Sequence, residues 1–427
     1  MGGKLRRMIA VGLGRSARGA MRLRGGGSAV PGRVALAISP DFLETAVAKL
    51  PLGVIFVSGS NGKSTTTHFL TRMLRRHGLR VFTNSSGGNL PQGIASSMLP
   101  DVDVNGNLRA DIAVLEVDEA YGPRLLPHLH PRGVLLLNVQ VDQLNRFYDP
   151  SRVTEFLRTI AAACGDFSVL NADDASLRGL PVSLDAPVTW FGVAPELIEQ
   201  SPNGLSNFDD ISAASVEVAA GERAVQVVAL QGRDATLRIG DEELEIRLPA
   251  RGLHYALDAA GAAATAQRIL GDSFVPALVA EALGESQTVY GRGEVMSVRG
   301  EDIEIIMMKN PPSLQMNLDA LEEAPEQVFV SVDEGTPDPS WIFGADLSRL
   351  EHVDVVSGTK AWQIATRLGY GDIPVGLVEP SLGEALEKFL ALPKPSRGMK
   401  TMIVNYEQMM SIRRRLGQSG IEGKVNS

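Results

Sequence analysis

The residues with the clearest capacity for chemistry lie in one short segment, Gly59-Ser-Asn-Gly62-Lys63-Ser64-Thr65. This segment follows an apolar run at residues 54–57 that is typical of a buried strand, and a helical pattern begins at Lys63. Backbone N–H groups at the start of such a helix can hold phosphate oxygens, while Lys63 can neutralise the β- and γ-phosphates and Ser64 can ligate Mg²⁺. Val57 stands where the common phosphate-binding loop has its first glycine. The segment therefore predicts a non-standard phosphate loop, and a simple Gly-Ser turn is the alternative.

Three carboxylates follow the next predicted strand, in Leu115-Glu116-Val-Asp118-Glu119. If the strand continues, Glu116 and Asp118 share a face and Glu119 points elsewhere. Mg²⁺ prefers oxygen ligands and usually takes only one or two of them from carboxylates, so Ser64 and Glu116 would suffice as a metal site. A solvated acidic loop is the alternative interpretation of this segment.

Apolar runs that alternate with helical patterns predict an α/β fold with a parallel sheet. Strands are expected near residues 54–57, 112–117 and 134–138, antiparallel hairpins at a sheet edge over 225–248, and an Ala-rich helix over 254–270. A further α/β unit is expected from about residue 327. The predicted domains are a basic N-terminal arm at 1–45, a central ATP-binding domain at 46–295 and a Rossmann-like C-terminal domain at 296–427.

The chain has a formal net charge of -9, and this charge is unevenly distributed. Residues 1–40 carry eight Lys or Arg and no acid, so the remaining 33 basic and 50 acidic residues sum to -17. An acidic body argues against nucleic-acid binding. The basic arm is interpreted as a solvated, partly helical segment, with a membrane-surface contact or a targeting peptide as alternatives. A dinucleotide-like Gly12-Leu-Gly14 lacks the acidic residue that would bind a ribose.

Two features bear on the compartment. No apolar run reaches the roughly 20 residues that cross a bilayer, so a cytoplasmic protein is expected, with association at the membrane surface left open. Cys164 is the single cysteine, which excludes an internal disulfide and a cysteine-rich zinc site.

These motifs together resemble those of the ATP-dependent Mur ligases. The likeness is strongest to the MurT-like synthetase subunits, which act with a GatD-like glutaminase, and it extends over about residues 25–415. The phosphate loop alone would indicate only the superfamily. The other segments that carry the resemblance, in chain order, are Asn84-Ser-Ser-Gly-Gly-Asn, Glu116-Val-Asp-Glu119, Leu137-Asn138, Asp142-Gln-Leu-Asn-Arg146, Asn171-Ala-Asp-Asp174, Tyr290-Gly-Arg292-Gly-Glu294, Lys309-Asn-Pro311 and Asp338-Pro-Ser-Trp341. The last three of these segments, in that order, are far more specific than the phosphate loop.

The resemblance implies a Mur-ligase-like fold and an ATP- and Mg²⁺-dependent ligase that activates a carboxylate as an acyl phosphate. Ammonia from a GatD-like glutaminase would then amidate the D-glutamate of the lipid II stem peptide. The implied catalytic residues are Lys63, Glu116 and Asp338, and the implied metal ligands are Ser64 and Glu116. Asn138 would assist at the metal or the substrate. The implied nucleotide-binding residues are Gly59, Ser60, Asn61, Gly62, Lys63, Ser64, Thr65, Asp258 and Arg292.

Asp338 would complete the partner's Cys-His pair, although its Pro-rich surroundings fit a turn residue equally well. The chain departs from MurT-like sequences in four places. Residues around Asn203-Gly-Leu-Ser-Asn207 replace a four-cysteine zinc ribbon, so no zinc is expected. His254-Tyr-Ala-Leu-Asp258 replaces an asparagine-rich nucleotide motif, and residues 333–337 and Gly344 also differ. Two other functions stay open, namely an amino-acid-adding ligase and an ATP-binding scaffold.

Overall fold

The computed structural model describes residues 2–24, 29–84, 88, 90–140, 150–200, 205, 217–288 and 292–417. Within these residues the strands form one nine-stranded and one six-stranded sheet. The helices, numbered α1 to α15 in chain order, are Gly3–Arg24, Val30–Ile38, Phe42–Val47, Lys63–Arg76, Pro91–Met98, Gly122–Leu125, Pro150–Ala162, Ala175–Arg178, Pro195–Glu199, Leu253–Leu270, Pro276–Gly284, Pro311–Asp319, Ala361–Tyr370, Leu382–Leu390 and Tyr406–Arg415.

The first sheet has the order β2-β3-β1-β4-β5-β6-β7-β8-β9. Neighbours from β2 to β7 pair in parallel, whereas β7, β8 and β9 form antiparallel hairpins at the sheet edge, as predicted. These strands are Val54–Ser58 (β1), Val81–Thr83 (β2), Ile112–Glu116 (β3), Gly133–Leu136 (β4), Phe167–Asn171 (β5), Val188–Val193 (β6), Arg223–Gln231 (β7), Asp234–Ile239 (β8) and Glu242–Arg247 (β9).

Alternate residues of the central strands enter two different cores, which is the consequence of the two-residue repeat of a strand. Ile55 and Val57 of β1 pack in the cluster that contains α4 and the Ala-rich helix α10. Val54 and Phe56 face the opposite cluster, which includes residues of α3, α5 and α7. Both faces of β1 are therefore covered, and this explains why the strand is apolar throughout.

The second sheet has the order β10-β11-β15-β12-β13-β14, with β10 and β11 antiparallel and the other neighbours parallel. Its strands are Arg292–Val298 (β10), Glu301–Met307 (β11), Val328–Ser331 (β12), Val353–Ser357 (β13), Val375–Glu379 (β14) and Lys400–Val404 (β15). The predicted α/β fold class is confirmed. The hairpin β10–β11 was not predicted, although Ile303 and Ile305 alternate with acidic residues. The domain limits stay a prediction.

The basic N-terminal segment differs from a solvated arm. Its residues form the 22-residue helix α1, in which Ala10 and Val11 are buried, and α1 packs on α2. Arg15 Nε donates to the carbonyl of Leu99 at 2.8 Å, and Arg18 Nη1 donates to that of Ser96 at 3.1 Å. The helix docks because carbonyls at the end of α5 have no partner within that helix and accept these guanidinium groups.

Candidate functional site

The predicted phosphate loop joins β1 to α4 at the carboxyl edge of the first sheet. Gly59 and Gly62 adopt φ of 139° and 86°, values that favour glycine. Gly62 immediately precedes α4. Because glycine has no side chain, Gly62 cannot cap the N–H groups in the first turn of this helix. Those groups and the helix dipole favour an anion at this end of α4.

Lys63 lies at the first position of α4 and is buried. Its Nζ donates to Glu119 Oε1 at 2.6 Å, to the Ser60 carbonyl at 3.2 Å and to the Gly59 carbonyl. The sequence analysis assigns no role to Glu119, which belongs to the acidic segment. The structure pairs this carboxylate with the lysine of the phosphate loop.

The other two carboxylates of the acidic segment differ in what they contact. Glu116 ends β3 and is half-buried, and its backbone N–H and carbonyl both bond to the Asn84 side chain at 2.8 Å. Asp118 Oδ1 accepts the N–H groups of Ala120 and Tyr121. The hydrogen bonds of Asp118 thus stabilise the turn, and the metal-binding role of Glu116 stays a prediction.

The oxygen atoms of Ser64 and Glu116 are the predicted ligands of Mg²⁺. Ser64 is half-buried in the first turn of α4, and Glu116 ends the strand beside β1. Within the described part of the chain, no group of three or more His, Cys, Asp or Glu residues is arranged to hold a metal ion. Such a sparse oxygen set is compatible with Mg²⁺, which keeps waters and shares phosphate oxygens, and this ion would be held by Ser64 and Glu116.

Asn138, which lies two residues after the end of β4, forms hydrogen bonds with the phosphate loop. Its Oδ1 accepts the Asn61 N–H at 2.9 Å and its Nδ2 donates to the Asn61 carbonyl at 3.2 Å. Gln140 adds two further hydrogen bonds, because its Oε1 accepts Asn61 Nδ2 at 2.7 Å and its N–H donates to Ser60 Oγ at 3.0 Å. Asn138 therefore positions the loop, a role that sequence analysis did not assign to it.

The Asn171-Ala-Asp-Asp174 segment, at the end of β5, forms hydrogen bonds with the residues that follow β4. Asn171 Nδ2 donates to the Leu137 carbonyl at 2.8 Å, and Asp174 Oδ2 accepts the Val139 N–H at 2.7 Å. Burial raises the pKa of Asp174 to about 7, while the N–H groups that it accepts act in the opposite direction. A chain of hydrogen bonds thus runs from β5 through the residues after β4 to the phosphate loop.

Residues that follow β11 of the second sheet also contact the phosphate loop. Lys309 Nζ donates to the Ser60 carbonyl at 3.0 Å. The side chains of Asn310 and Asn61 exchange hydrogen bonds at 3.2 and 3.3 Å. Asn310 is also the N-cap of α12, with Oδ1 accepting the Ser313 N–H at 2.9 Å. The Lys309-Asn-Pro segment therefore fixes α12 and the loop in one arrangement.

A pocket opens between the loop, α10 and the second sheet. Asp258, predicted to bind nucleotide, lies against the loop, since a Cβ at Gly62 would come within 2.3 Å of its Oδ1. The pocket lining consists of Asn61, Gly62, Thr65, Asn138, Gln140, Leu205, His254, Tyr255, Leu257, Asp258, Met307, Lys309, Ser313, Met316 and Asn317. A phosphate loop at one wall and apolar groups at another suit a nucleotide.

Several predicted residues lie elsewhere or cannot be placed. Asp338 is on an exposed turn, where its Oδ1 accepts the Ser340 N–H at 2.9 Å, and this bond lowers the pKa of its carboxyl. It does not line the pocket. The backbone of Arg292 belongs to β10, but its side chain lies outside the described residues, as do residues 142–146. Gly12 and Gly14 lie inside α1, so no strand–turn–helix surrounds them.

Several contacts at the site were missed by the sequence analysis, among them the pairing of Glu119 with Lys63 and that of Asn310 with Asn61. The residues of these two pairs were all within segments that had been singled out. No spacing in the sequence relates residue 61 to residue 310, however, because their contact depends on how the two sheets pack.

Comparison with known proteins adds to this geometry. Residues 57–266 match the family model described as the Mur ligase middle domain. The chain is 26% identical to the lipid II isoglutaminyl synthase (glutamine-hydrolyzing) subunit MurT of Streptococcus pneumoniae, over 83% of this chain and 85% of that protein. It is 25% identical to the subunit of the same name from Staphylococcus aureus strain COL, over 97% and 99% of the two chains.

Among solved structures, the chain is similar to the UDP-N-acetylmuramoylalanyl-D-glutamyl-2,6-diaminopimelate--D-alanyl-D-alanyl ligase of Acinetobacter baumannii. The TM-score is 0.67 at 18% identity, and the match covers 91% of this chain and 80% of that one. At this identity the likeness concerns the fold. It confirms the expected Mur-ligase-like arrangement of a phosphate-loop sheet followed by a second α/β unit.

Proposed function

We propose that this chain, which carries a Mur ligase middle domain and is an ATP-dependent ligase, amidates the D-glutamate of the lipid II stem peptide. The observation that carries the proposal is the phosphate loop with buried Lys63, beside a pocket that the loop, α10 and residues of the second α/β unit line. The similarity to two MurT subunits over most of the chain supports the choice of acceptor.

In the proposed reaction, an oxygen of the α-carboxylate of D-glutamate attacks the γ-phosphorus of ATP, and the bond to ADP breaks. Ammonia then attacks the acyl carbon, phosphate leaves, and the nitrogen loses a proton to give the amide. The carboxylate and the triphosphate repel each other, so cationic groups must offset this repulsion as they approach. Lys63 supplies one charge from the loop and Lys309 supplies another from the opposite wall.

Mg²⁺ bound at this site would neutralise phosphate charge and orient the phosphates. Ser64 and Glu116 would hold it, and the Asn84 side chain fixes the end of β3 on which Glu116 lies. Asp258, which lies against Gly62, is proposed to contact the nucleotide, and Arg292 is proposed to contribute a further positive charge. No zinc is part of this proposal.

Ammonia is mostly protonated at neutral pH, so we propose that a GatD-like glutaminase delivers it. An exposed aromatic patch follows Asp338 in the chain. Phe343 and Tyr370 lie with ring centroids 6.0 Å apart, the Arg367 guanidinium lies 5.7 Å from the Phe343 centroid, and Trp362 is 65% exposed on the same helix as Tyr370. Aromatic and Arg residues are the usual anchors of protein interfaces.

This patch supports a partner on the C-terminal unit, close in sequence to the exposed carboxylate of Asp338. In the proposed complex, that carboxylate would orient the histidine of the glutaminase Cys-His pair. The variants Trp362→Ala and Tyr370→Ala are therefore expected to weaken copurification with the glutaminase, and Asp338→Asn is expected to reduce glutamine hydrolysis but not complex formation.

The experiment that tests the function measures ADP release and the mass of the acceptor. Amidation predicts that ADP forms only with lipid II and ammonia, and that the acceptor gains an amide. Lys63→Ala is expected to lower the rate by roughly 10²-fold or more, because it removes a charge-stabilising donor. Lys394→Ala, a charge change in another part of the chain, is the control.

Other outcomes would point to the alternatives. ADP release that requires a free amino acid instead of ammonia would indicate an amino-acid-adding ligase and would contradict amidation. Nucleotide binding without turnover under all these conditions would indicate a scaffold. The proposed compartment is the cytoplasm, where ATP and the cytoplasmic face of the membrane are both accessible. Among the described residues, no helix combines the length and hydrophobicity that a bilayer crossing requires.

A further inference from the structure

The outer face of α1 exposes apolar side chains that the body of the protein does not cover. Leu5 and Leu13 are each 51% exposed and Met8 is 42% exposed. At 3.6 residues per turn, these three side chains lie within roughly 140° of the helix circumference. Exposed single apolar residues are ordinary, but three on one face of one helix form a stripe.

This orientation is fixed by contacts on the opposite face. Ala10 and Val11 are buried, and a Cβ at Gly14 would lie 2.8 Å from the Leu99 side chain, so α1 approaches the body closely there. Arg15 Nη2 donates to the Val102 carbonyl at 2.6 Å, in addition to its bond to Leu99. The helix therefore cannot turn its stripe inward without breaking these hydrogen bonds.

The charge of this segment is opposite to that of the rest of the chain. Residues 1–40 carry a charge of +8 with no acid, whereas the remainder carries -17. An anionic surface would attract α1 and repel the acidic body, and this would orient the protein with its outer helix face towards the surface. A Lys- and Arg-rich helix with an apolar face is the pattern of helices that lie in the interfacial plane of a membrane.

We propose that the outer face of α1 docks on the surface of an anionic lipid bilayer, with Leu5, Met8 and Leu13 inserted among the lipids and the net positive charge of the helix attracting the anionic headgroups. The stripe and the charge are on the same helix, which favours a bilayer over a folded partner. The inference goes beyond the proposed function and does not depend on it, since neither nucleotide nor acceptor is involved.

The test is flotation of the full chain with vesicles, without ATP or lipid II. One set of vesicles contains phosphatidylglycerol mixed with phosphatidylcholine, and the other contains phosphatidylcholine alone. We expect binding to the anionic vesicles only, and a fall in binding as salt is raised. The double variant Leu5→Ser with Leu13→Ser is expected to bind about tenfold more weakly, because two exposed apolar side chains no longer insert.

Val275→Ser with Val295→Ser is the matched control, because these apolar residues are also exposed but lie outside α1. It is expected to bind as the unchanged protein does. Thermal unfolding of both double variants checks that the fold is kept. Equal binding to the two vesicle types, or no effect of the α1 variant, would overturn the proposal. Light scattering could instead show that the unchanged protein is a dimer and that only the α1 variant is a monomer. The stripe would then bind a second copy of the chain, and the proposal would be overturned.

Discussion

Lys63 and Glu119 form a buried ion pair at the carboxyl edge of the first sheet, with Nζ and Oε1 2.6 Å apart. The lysine also donates to two carbonyls of its own loop. Its ammonium group is therefore held by three oxygen atoms at the position where a phosphate-binding lysine would act. A nucleotide must compete with Glu119 for this charge or share it.

Glu119→Gln is expected to tighten binding of ATP measured without Mg²⁺ by about tenfold, which corresponds to about 1.4 kcal/mol. The amide keeps the shape of the side chain but removes the charge that competes for Lys63. Isothermal titration calorimetry measures the effect. Glu387→Gln, a change on the exposed surface, is expected to leave the affinity unchanged. Unchanged or weaker binding in Glu119→Gln would contradict this account of the ion pair.

Gly62→Ala tests the geometry of the phosphate loop. A φ of 86° costs a side chain about 1–2 kcal/mol, and the added Cβ would also meet Asp258 Oδ1 at 2.3 Å. We expect both lower stability in thermal unfolding and at least tenfold weaker nucleotide binding.

Gly78 provides the matched control for this change. Its φ is 85°, but a Cβ there would meet nothing within 4 Å. Gly78→Ala should therefore cost about 1 kcal/mol of stability through backbone strain alone and leave nucleotide binding intact. Equal effects of the two substitutions on nucleotide affinity would rule out a special role for the loop conformation.

Asn310→Ser tests the contact between the second sheet and the loop. Serine can still cap α12, but it is too short to bond to the Asn61 side chain. We expect a change in stability below about 1 kcal/mol and a fall in turnover of roughly tenfold, because one of the contacts that hold the two units in one arrangement would be lost. Steady-state ADP release and small-angle scattering measure the two effects. If turnover were unchanged while small-angle scattering showed a more extended particle, the contact would not be needed for catalysis, and the prediction would be wrong.

His68 predicts how stability depends on pH. Burial lowers the pKa of His68 to about 4, and Arg72 and Arg75 act in the same direction; its Nε2 is buried without a hydrogen-bond partner in the described part of the chain. The His68 ring binds a proton more readily in the unfolded chain than in the folded chain. Its contribution to the free energy of unfolding is therefore fully present above pH 6.5 and is lost as the pH falls towards 4. The loss should reach about 2 kcal/mol at pH 5.

Denaturant unfolding at pH 7 and pH 5 measures this loss. His68→Gln cannot titrate and should lose about 2 kcal/mol less than the unchanged protein over this interval. His128 is exposed, so His128→Gln should leave the pH dependence as it is. An identical pH profile for His68→Gln and the unchanged protein would show that His68 is not responsible.

The sequence by itself determined the features that depend on local chemistry. Glycines between a buried strand and a helix predicted the phosphate loop, and apolar runs predicted the parallel strands and edge hairpins that the structure contains. These features follow from backbone sterics and hydrophobic periodicity, which short segments express without help from the rest of the chain. The predicted roles of Glu116, Asp258, Arg292 and Asp338 stay predictions.

Only the tertiary structure decided which distant groups meet. Glu119 reaches Lys63, Asn310 reaches Asn61, and α1 packs against the body instead of extending into solvent. Each contact joins residues that lie far apart in the chain, so it depends on strand order and on how helices and sheets pack. A single sequence does not encode these distances in any local pattern, and for that reason the partner of the phosphate-loop lysine became visible only in the folded chain.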